Sequence, residues 1–542
     1  MNYKQIAFKK PFGNVLLMSV MAVLAAFMTS CGNGTSSAPQ HVKIIPQNAA
    51  IVVAFDVKQM VGKSVSFEDL FSQKSLEAMG SDEKEAKEGA DNAKKFMNSG
   101  VDYLNIGYLF AEATNADDNL IAEDNYALAI PLDDAGKFEK FLKGEKEEVK
   151  EEGKIKYVSS KKESVFIAWK DKNAVIFNVK KGSKVDFKKR AINLLELKDE
   201  QTLLATNKSF AKALGNKADI QIWIDSEKFA KMNGEEAEIE GISLKDNFAA
   251  VAIKFEKGEV LVNTDGETSP AVGKIYERIF KNGGIDNKLA KNIPVKKPNL
   301  VVSLAVNLKG VKEFLNDKGL LAFANTMLVN DGTSVDEIIN IFSGDFLIVA
   351  ESIDAKNQKS ITSVGLNDEK AFEKMLVKVG KDQIKKTDGV YLLEDAPFKS
   401  LKDARLVIKD GVVYIASNNY VKDIKAGVSE LDGDIIKPSK DNFLTVYANE
   451  GFIKDYKGEE QIKSIASVFE SINMISGDLK SKNITASAVV KMKEKNKNSL
   501  LVIVDAVKNV PKSPKKPKRD APIEDDAPEA IDETKQQPAK QQ

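Results

Sequence analysis

The chain carries the same order of apolar and polar patterns twice. The matched runs are apolar and strand-like, and they fall in pairs at residues 51–57 and 300–308, 107–112 and 345–351, and 126–132 and 360–366. Each first run follows a proline, Pro46 or Pro298, and precedes a short helical pattern. Because the order of elements is shared across nearly the whole body, we predict two related units.

An amphipathic helix follows the third strand of each unit. Its sequence is DDAGKFEKFL at residues 133–142 and NDEKAFEKML at 367–376, with apolar side chains recurring at three- and four-residue spacings. Asp and Asn at the start of a helix accept hydrogen bonds from its free N–H groups. The predicted N-caps are Asp133 or Asp134 in the first unit and Asn367 or Asp368 in the second.

Strand hairpins complete each unit. The second unit turns at Asp410-Gly411 between two apolar runs, a strong hairpin signal because both turn residues need positive φ. Each unit is predicted to close with a further hairpin, formed by residues 248–255 with 260–263 and by 484–492 with 500–504. We predict an α+β fold: a tandem duplication of two related units, each an antiparallel β-sheet with helices packed on one face.

The same patterns set the predicted boundaries. The segments are a signal peptide at 1–30, a flexible tether at 31–41, a first α+β repeat at 42–268, a linker with a short helix at 269–297, a second α+β repeat at 298–507 and a charged tail at 508–542. The tail is rich in Pro, Lys, Glu and Gln. Because such a composition buries too little apolar surface to fold, we expect the tail to be disordered.

The N-terminal segment has the pattern of a bacterial export signal. Three lysines in the first ten residues precede an apolar run at 15–28, which is too short to span a membrane comfortably. The run ends in MTSC at residues 28–31, which resembles a lipobox with methionine in place of the usual leucine. We therefore predict that Cys31 is the lipid attachment residue. An ordinary secretory signal, or an anchor that is not cleaved, is the alternative.

Composition narrows the available chemistry. The 542-residue chain has zero formal net charge, from 80 basic and 80 acidic residues, so its charge does not call for a nucleic-acid partner. Cys31 is its one cysteine, and His41, beside the tether, is its one histidine. The body therefore lacks the residues for Ser-His-Asp or Cys-His catalysis and for most zinc or haem sites. We predict no enzyme activity, no catalytic or metal-binding residue and no cofactor.

Four polar residues occupy equivalent strand ends in the two units. Asp56 and Asn307 are predicted to cap the helices that follow them, with a polar binding role as the alternative. Glu112 and Glu351 end the next strand of each unit, and we expect both carboxylates to be solvated at the sheet edge.

The chain resembles a known family. The resemblance is carried by the lipobox-like residues 28–31, by VKIIP at 42–46, by the strand that ends in Asp56-Val57-Lys58, and by NSGVD at 98–102. These features are similar to those of the exported lipoproteins of Bacteroides-group bacteria called domain of unknown function 4836. The resemblance implies a Gram-negative envelope lipoprotein, and it implies no activity, substrate or cofactor.

Three functions stay open. The sequence favours a non-catalytic binding or scaffolding module, held at the membrane by an N-terminal lipid anchor and engaging another envelope protein. The alternatives are a periplasmic carrier or chaperone for an apolar ligand or polypeptide, and a carboxylate-dependent hydrolase. No acidic cluster follows Cys31, which favours the periplasmic face of the outer membrane over the cell surface.

Overall fold

The structure is a computed structural model that describes residues 40–63, 72–78, 83–113, 126–160, 164–179, 183–239, 242–329, 332–353, 359–380, 384–393, 404–455, 466–480 and 483–508. The strands of this part of the chain are β1 (Ala49–Asp56), β2 (Ile106–Glu112), β3 (Tyr126–Pro131), β4 (Lys150–Glu152), β5 (Ile155–Ser160), β6 (Val165–Lys170), β7 (Asn173–Asn178), β8 (Ile220–Asp225), β9 (Glu238–Ile239), β10 (Ile242–Ser243), β11 (Phe248–Glu256), β12 (Glu259–Glu267), β13 (Leu300–Ala305), β14 (Phe342–Ser352), β15 (Lys359–Leu366), β16 (Ile384–Thr387), β17 (Val390–Leu393), β18 (Ala404–Lys409), β19 (Val412–Ser417), β20 (Leu444–Asn449), β21 (Phe469–Lys480) and β22 (Asn483–Met492).

The α-helices of the described residues are α1 (Val57–Gly62), α2 (Gln73–Ala78), α3 (Glu83–Met97), α4 (Ala135–Gly144), α5 (Phe187–Leu195), α6 (Leu203–Thr206), α7 (Lys208–Leu214), α8 (Ser226–Met232), α9 (Pro270–Ile279), α10 (Leu308–Asp317), α11 (Leu321–Val329), α12 (Val335–Ile341), α13 (Glu369–Gly380), α14 (Val421–Ala426), α15 (Gly433–Ile436), α16 (Glu450–Asp455) and α17 (Ser499–Lys508).

Twenty of the described strands pair in one antiparallel series, and β9 with β10 forms a separate small sheet. The series begins β4, β5, β6, β7, β3, β2, β1, β8, β11, β12. It continues β22, β21, β20, β13, β14, β15, β19, β18, β17, β16. Outward from the β12–β22 pair, the strands of the two halves therefore follow the same order of chain positions. The protein is an α+β protein with a large antiparallel sheet.

The two halves meet through that central pair and through helices that cross it. Nine residue pairs join β12 to β22, from Glu259 with Lys491 to Glu267 with Asn483. Helix α9, which follows β12, packs against α10 and β21 of the second half. Helix α17, which follows β22, packs against α2, β11 and β12 of the first half. Each half is thus completed by a helix from the other, and the described residues between 40 and 508 belong to one compact unit.

Helices cover both faces of the central strands, so the predicted one-face arrangement is wrong for this region. Side chains alternate along a strand, and on β1 Val52 packs with Phe210 of α7 in one core. Its neighbour Ile51 packs with Met232 of α8 and Val502 of α17 in a core on the opposite face. The apolar run of β1 has no polar face, which is the pattern of a strand buried on both sides.

The closing hairpin of the second half differs from its prediction. In the first half, β11 pairs with β12 as expected. In the second half, β22 pairs with β21, whereas the predicted partner, residues 500–504, lies in α17. The run SLLVIVDAVK is apolar on most positions, so neither strand nor helix period stands out. In the helix that forms instead, the side chains of Leu500 and Val502 are buried.

Three local predictions are confirmed, namely two helix N-caps and one hairpin turn. Asp134 caps α4 by accepting a hydrogen bond from the Lys137 N–H at 2.9 Å. Asp368 accepts one from the Ala371 N–H, also at 2.9 Å, at the start of α13. The Asp410-Gly411 turn has φ values of 53° and 72°, the left-handed conformation that this hairpin turn requires.

Candidate functional site

The predicted lipid attachment residue, Cys31, lies outside the described residues. What the structure places is the point where the tether joins the body, a 3-10 helix at Gln40–Ile44. His41, assigned to the tether from the sequence, is only 3% exposed and belongs to the body. Val42 and Ile45 are fully buried in the first core. We call the segment 40–47 the N-terminal seat.

The N-terminal seat is held by backbone hydrogen bonds as well as by apolar burial. The Gln47 N–H donates to the Gln201 carbonyl, and the Leu203 N–H donates to the Ile45 carbonyl, both at 2.9 Å. Between them, Pro46 forms a β-bridge with Thr202. Backbone groups paired in this way would lose buried hydrogen bonds if the segment peeled away, so the tether meets the body at a fixed position.

His41 is the polar centre of the seat. Its Nε2–H donates to the backbone carbonyl of Ile106, and its ring lies 5.1 Å from the Tyr108 ring. Burial lowers the pKa of His41, against the opposing effects of the Ile106 carbonyl and Asp102. Burial therefore favours the neutral ring, and in that form donation to a carbonyl requires the tautomer with hydrogen on Nε2. Burial also raises the pKa of Tyr108.

Glu112 and Glu351 are engaged by internal partners, so the predicted edge solvation is wrong for both. Glu112 Oε2 lies 2.5 Å from the Arg190 guanidinium, and the two side chains are 13% and 15% exposed. The same guanidinium lies 4.7 Å from the centre of the Phe177 ring. Glu351 accepts a hydrogen bond from the Tyr420 hydroxyl, and burial and this carboxylate raise the pKa of Tyr420. Glu112 thus holds the segment after β7 to the sheet, and Glu351 holds the segment after β19.

Asp56 and Asn307 act as helix caps, as predicted. Asp56 accepts a hydrogen bond from the Gln59 N–H at 2.9 Å at the start of α1. Asn307 accepts one from the Gly310 N–H at 3.3 Å at the start of α10. Their side-chain oxygens satisfy the free N–H groups of the first turn, which is a structural task.

Two buried aspartates that sequence reasoning missed are paired with lysines. Asp219 is fully buried and lies 2.9 Å from Lys63, which also pairs with Glu256 at 3.2 Å. Burial works to lower the pKa of Lys63, but both carboxylates outweigh it and raise that pKa. Asp345 pairs with Lys281 at 2.6 Å. Each aspartate already has a cationic partner, so these sites are suited to holding the fold rather than to acid–base chemistry.

A polar recess between α7 and β12, bordered by Ser209, Asn216 and Glu267, has a volume of about 10 Å³, room for one water molecule. Among the described residues, no group of three or more His, Cys, Asp or Glu side chains is arranged to hold a metal ion. None of the described helices combines the length and apolarity needed to span a membrane.

Helix α11 is the most exposed apolar element of the described chain. Phe323, Met327 and Val329 are 65%, 61% and 64% exposed, and no residue of the helix is buried. This segment was missed from the sequence. The sequence does set this segment apart, because residues 319–330 carry no charge in a chain in which 30% of residues are charged.

The α+β fold and the paired strand order place the chain among proteins built on one long antiparallel sheet. Residues 41–500 match the family described as Domain of unknown function (DUF4836), and the chain belongs to that family. No curated protein matches the sequence. Two solved structures, crystal forms I and IV of TP0453, align at 12% and 10% identity. They cover 43% and 46% of this chain and 80% and 89% of the other, with TM-scores of 0.24 and 0.26, which is too low to support an inference.

Proposed function

We propose that this protein is a membrane-anchored lipoprotein of the bacterial envelope, acylated at Cys31, whose body is a non-catalytic binding or scaffolding module. The observation that carries the proposal is the N-terminal seat. Residues that directly follow the uncharged tether are buried and hydrogen-bonded in the first core. The sequence adds the short apolar run and the MTSC motif immediately before the tether.

The seat and the tether together define how the body would be presented. Residues 32–40 can span at most about 30 Å when fully extended. With Cys31 acylated, His41 and the sheet end beside it stay within that distance of the bilayer. The rest of the body then projects from a fixed point, a geometry that suits a module that captures or positions another envelope component. The missing acidic cluster after Cys31 favours the periplasmic face of the outer membrane.

The same proposal includes a tandem duplication. It is supported by the matching strand order outward from β12 and β22 and by equivalent helix caps. Asp56 and Asn307 cap the helices after β1 and β13. Asp225 accepts from the Lys228 N–H after β8, and Asn449 accepts from the Gly451 N–H after β20. Two copies joined through a shared sheet would give an extended scaffold.

The proposal is tested by replacing the attachment residue in the native host. Cys31→Ser should abolish acylation, seen as the loss of the lipid mass, and should release the protein into the soluble envelope fraction. Ser36→Ala, in the tether, is the matched control and should remain membrane-bound. Retention of Cys31→Ser in the membrane through an intact N-terminal segment would show that the protein is not a lipoprotein.

The binding role needs a separate measurement. Cross-linking of the lipidated wild-type protein in its own membrane, followed by purification, should recover a specific envelope protein. Recovery of an apolar small molecule in place of a protein would favour the carrier alternative. Turnover of an envelope polysaccharide by the purified protein would refute the non-catalytic assignment.

A further inference from the structure

The described part of the chain contains two Asn-Gly sequences, at residues 233–234 and 282–283, and the fold treats them differently. A third, Asn33-Gly34, lies outside the described residues. An asparagine before a glycine is open to attack by the main-chain nitrogen of the glycine, because glycine has no side chain to hinder the approach. Both Asn233 and Asn282 are exposed, so exposure does not distinguish them. Their hydrogen bonds do.

Asn233 is held at the C-terminal end of α8. Its side-chain Nδ2–H donates to the Phe229 carbonyl at 2.9 Å. The Gly234 N–H, whose nitrogen would make the attack, donates to the Lys231 carbonyl at 3.0 Å. Closure of a ring between the Asn233 side chain and the Gly234 nitrogen would break both hydrogen bonds, so the end of the helix opposes the reaction here.

Asn282 and Gly283, which we call the reactive pair, have neither restraint. No described residue forms a hydrogen bond with the Asn282 side chain or with the Gly283 N–H. Gly283 has a φ of 126°, and a Cβ at this position would meet nothing within 4 Å, so there is open space beside it. The Asn282 amide can therefore turn toward the Gly283 nitrogen without breaking a hydrogen bond.

The reactive pair lies between two anchored residues in the stretch that joins the halves. On one side, the Lys281 N–H donates to the Ala305 carbonyl at 3.2 Å. On the other side, the Gly284 N–H donates to the Lys440 carbonyl at 3.0 Å. The two free residues can thus rearrange while the fold around them stays in place.

We propose that Asn282 is a site of spontaneous deamidation, with water as the co-reactant. The Gly283 nitrogen bonds to Cγ of Asn282, the bond from Cγ to the side-chain nitrogen breaks, and that nitrogen leaves as ammonia with the proton given up by Gly283. Water then opens the resulting five-membered succinimide ring at either of its carbonyl groups. The products are aspartate and isoaspartate, and no oxidant or reductant is needed.

The modification would change the connection between the halves in two ways. It adds a carboxylate beside Lys281, whose ammonium already pairs with the buried Asp345 at 2.6 Å. The isoaspartate product also lengthens the main chain by one methylene group between Lys281 and Gly284. Molecules that have aged would therefore differ from new ones in charge and in chain length at this position. The inference is independent of the acylation of Cys31.

The test compares the two asparagines within one protein. The purified full chain is incubated at neutral and mildly alkaline pH, deamidation of each peptide is followed by tandem mass spectrometry, and isoaspartate is detected with isoaspartyl methyltransferase. Asn282 should deamidate severalfold faster than Asn233. Its rate should rise with hydroxide concentration, because the deprotonated main-chain nitrogen is the attacking group. In guanidinium chloride, where the fold is lost, the two rates should converge.

Asn282→Gln is the matched variant, because the longer side chain closes a ring far more slowly and the position is exposed. It should remove isoaspartate from this peptide while the urea concentration at the unfolding midpoint stays the same. Equal rates at Asn282 and Asn233 in the folded protein would overturn the inference. A difference that persists in guanidinium chloride would also overturn it, because the neighbouring sequence rather than the fold would then set the rate.

Discussion

The close approach of α9 and α10 across the two halves makes Gly310 a sharp test of the fold. Gly310 is buried on α10, and a Cβ at this position would lie 1.8 Å from the backbone carbonyl oxygen of Arg278 on α9. The helices are also joined by the Asn307 N–H, which donates to the Ile279 carbonyl at 2.8 Å. We expect Gly310→Ala to force α9 and α10 apart.

Two opposing effects set the change in the free energy of unfolding caused by Gly310→Ala. Ordinary van der Waals contact begins at 3.4 Å, so the helices must separate by roughly 1.5 Å, and the obstacle is a backbone oxygen that cannot rotate away. Overpacking of this kind costs about 1–3 kcal/mol. Alanine stabilises a helix by about 1 kcal/mol relative to glycine, which offsets part of that cost. The expected net loss in the free energy of unfolding is therefore between about 0 and 2 kcal/mol.

The assay is urea unfolding followed by circular dichroism, with Gly144→Ala as the control. A Cβ at Gly144, the last residue of α4, would meet nothing within 4 Å, so the same substitution should be neutral or stabilising there by up to about 1 kcal/mol. The urea concentration at the unfolding midpoint should fall for Gly310→Ala, and it should stay the same or rise for Gly144→Ala. A midpoint for Gly310→Ala equal to or above that of Gly144→Ala would refute the packing of α9 on α10.

Two further measurements probe the seat and the polar contacts. In a carbon-13-labelled protein, the His41 resonance should titrate with a pKa below the ordinary value of 6.5. Because the unfolded chain then takes up the proton first, the free energy of unfolding should fall as the pH drops from about 6.5 through the pKa of the folded state. Titration at or above 6.5 would contradict a buried ring. Arg190→Met leaves the Glu112 carboxylate without its cation at a site that is about one-seventh exposed, so we expect a loss of about 2–4 kcal/mol in urea unfolding. Lys170→Met, which breaks a more exposed pair, should cost less than about 1 kcal/mol, and equal losses for the two variants would contradict the difference in burial.

The sequence by itself determined the elements whose causes are local. Capping by Asp134 and Asp368 depends on a side chain and an N–H three residues away, and the Asp410-Gly411 turn depends on two residues that tolerate positive φ. Most of the strands, the helices after β3 and β15, and the family could be predicted for the same reason, since apolar periodicity and short motifs are properties of neighbouring residues. Cys31 also belongs to this group, because the MTSC motif is a local signal, and its acylation stays a prediction.

The tertiary structure decided whatever depends on distant partners. Residues 500–504 form a helix because packing against the first half resolves an apolar run with no clear period. Glu112 and Glu351 find partners 78 and 69 residues away, which no local pattern encodes. The pairing of β12 with β22 merges two units into one sheet and places helices on both faces. The exposure of Phe323, Met327 and Val329 on α11 is likewise visible only in the folded chain, because it depends on which distant elements pack nearby.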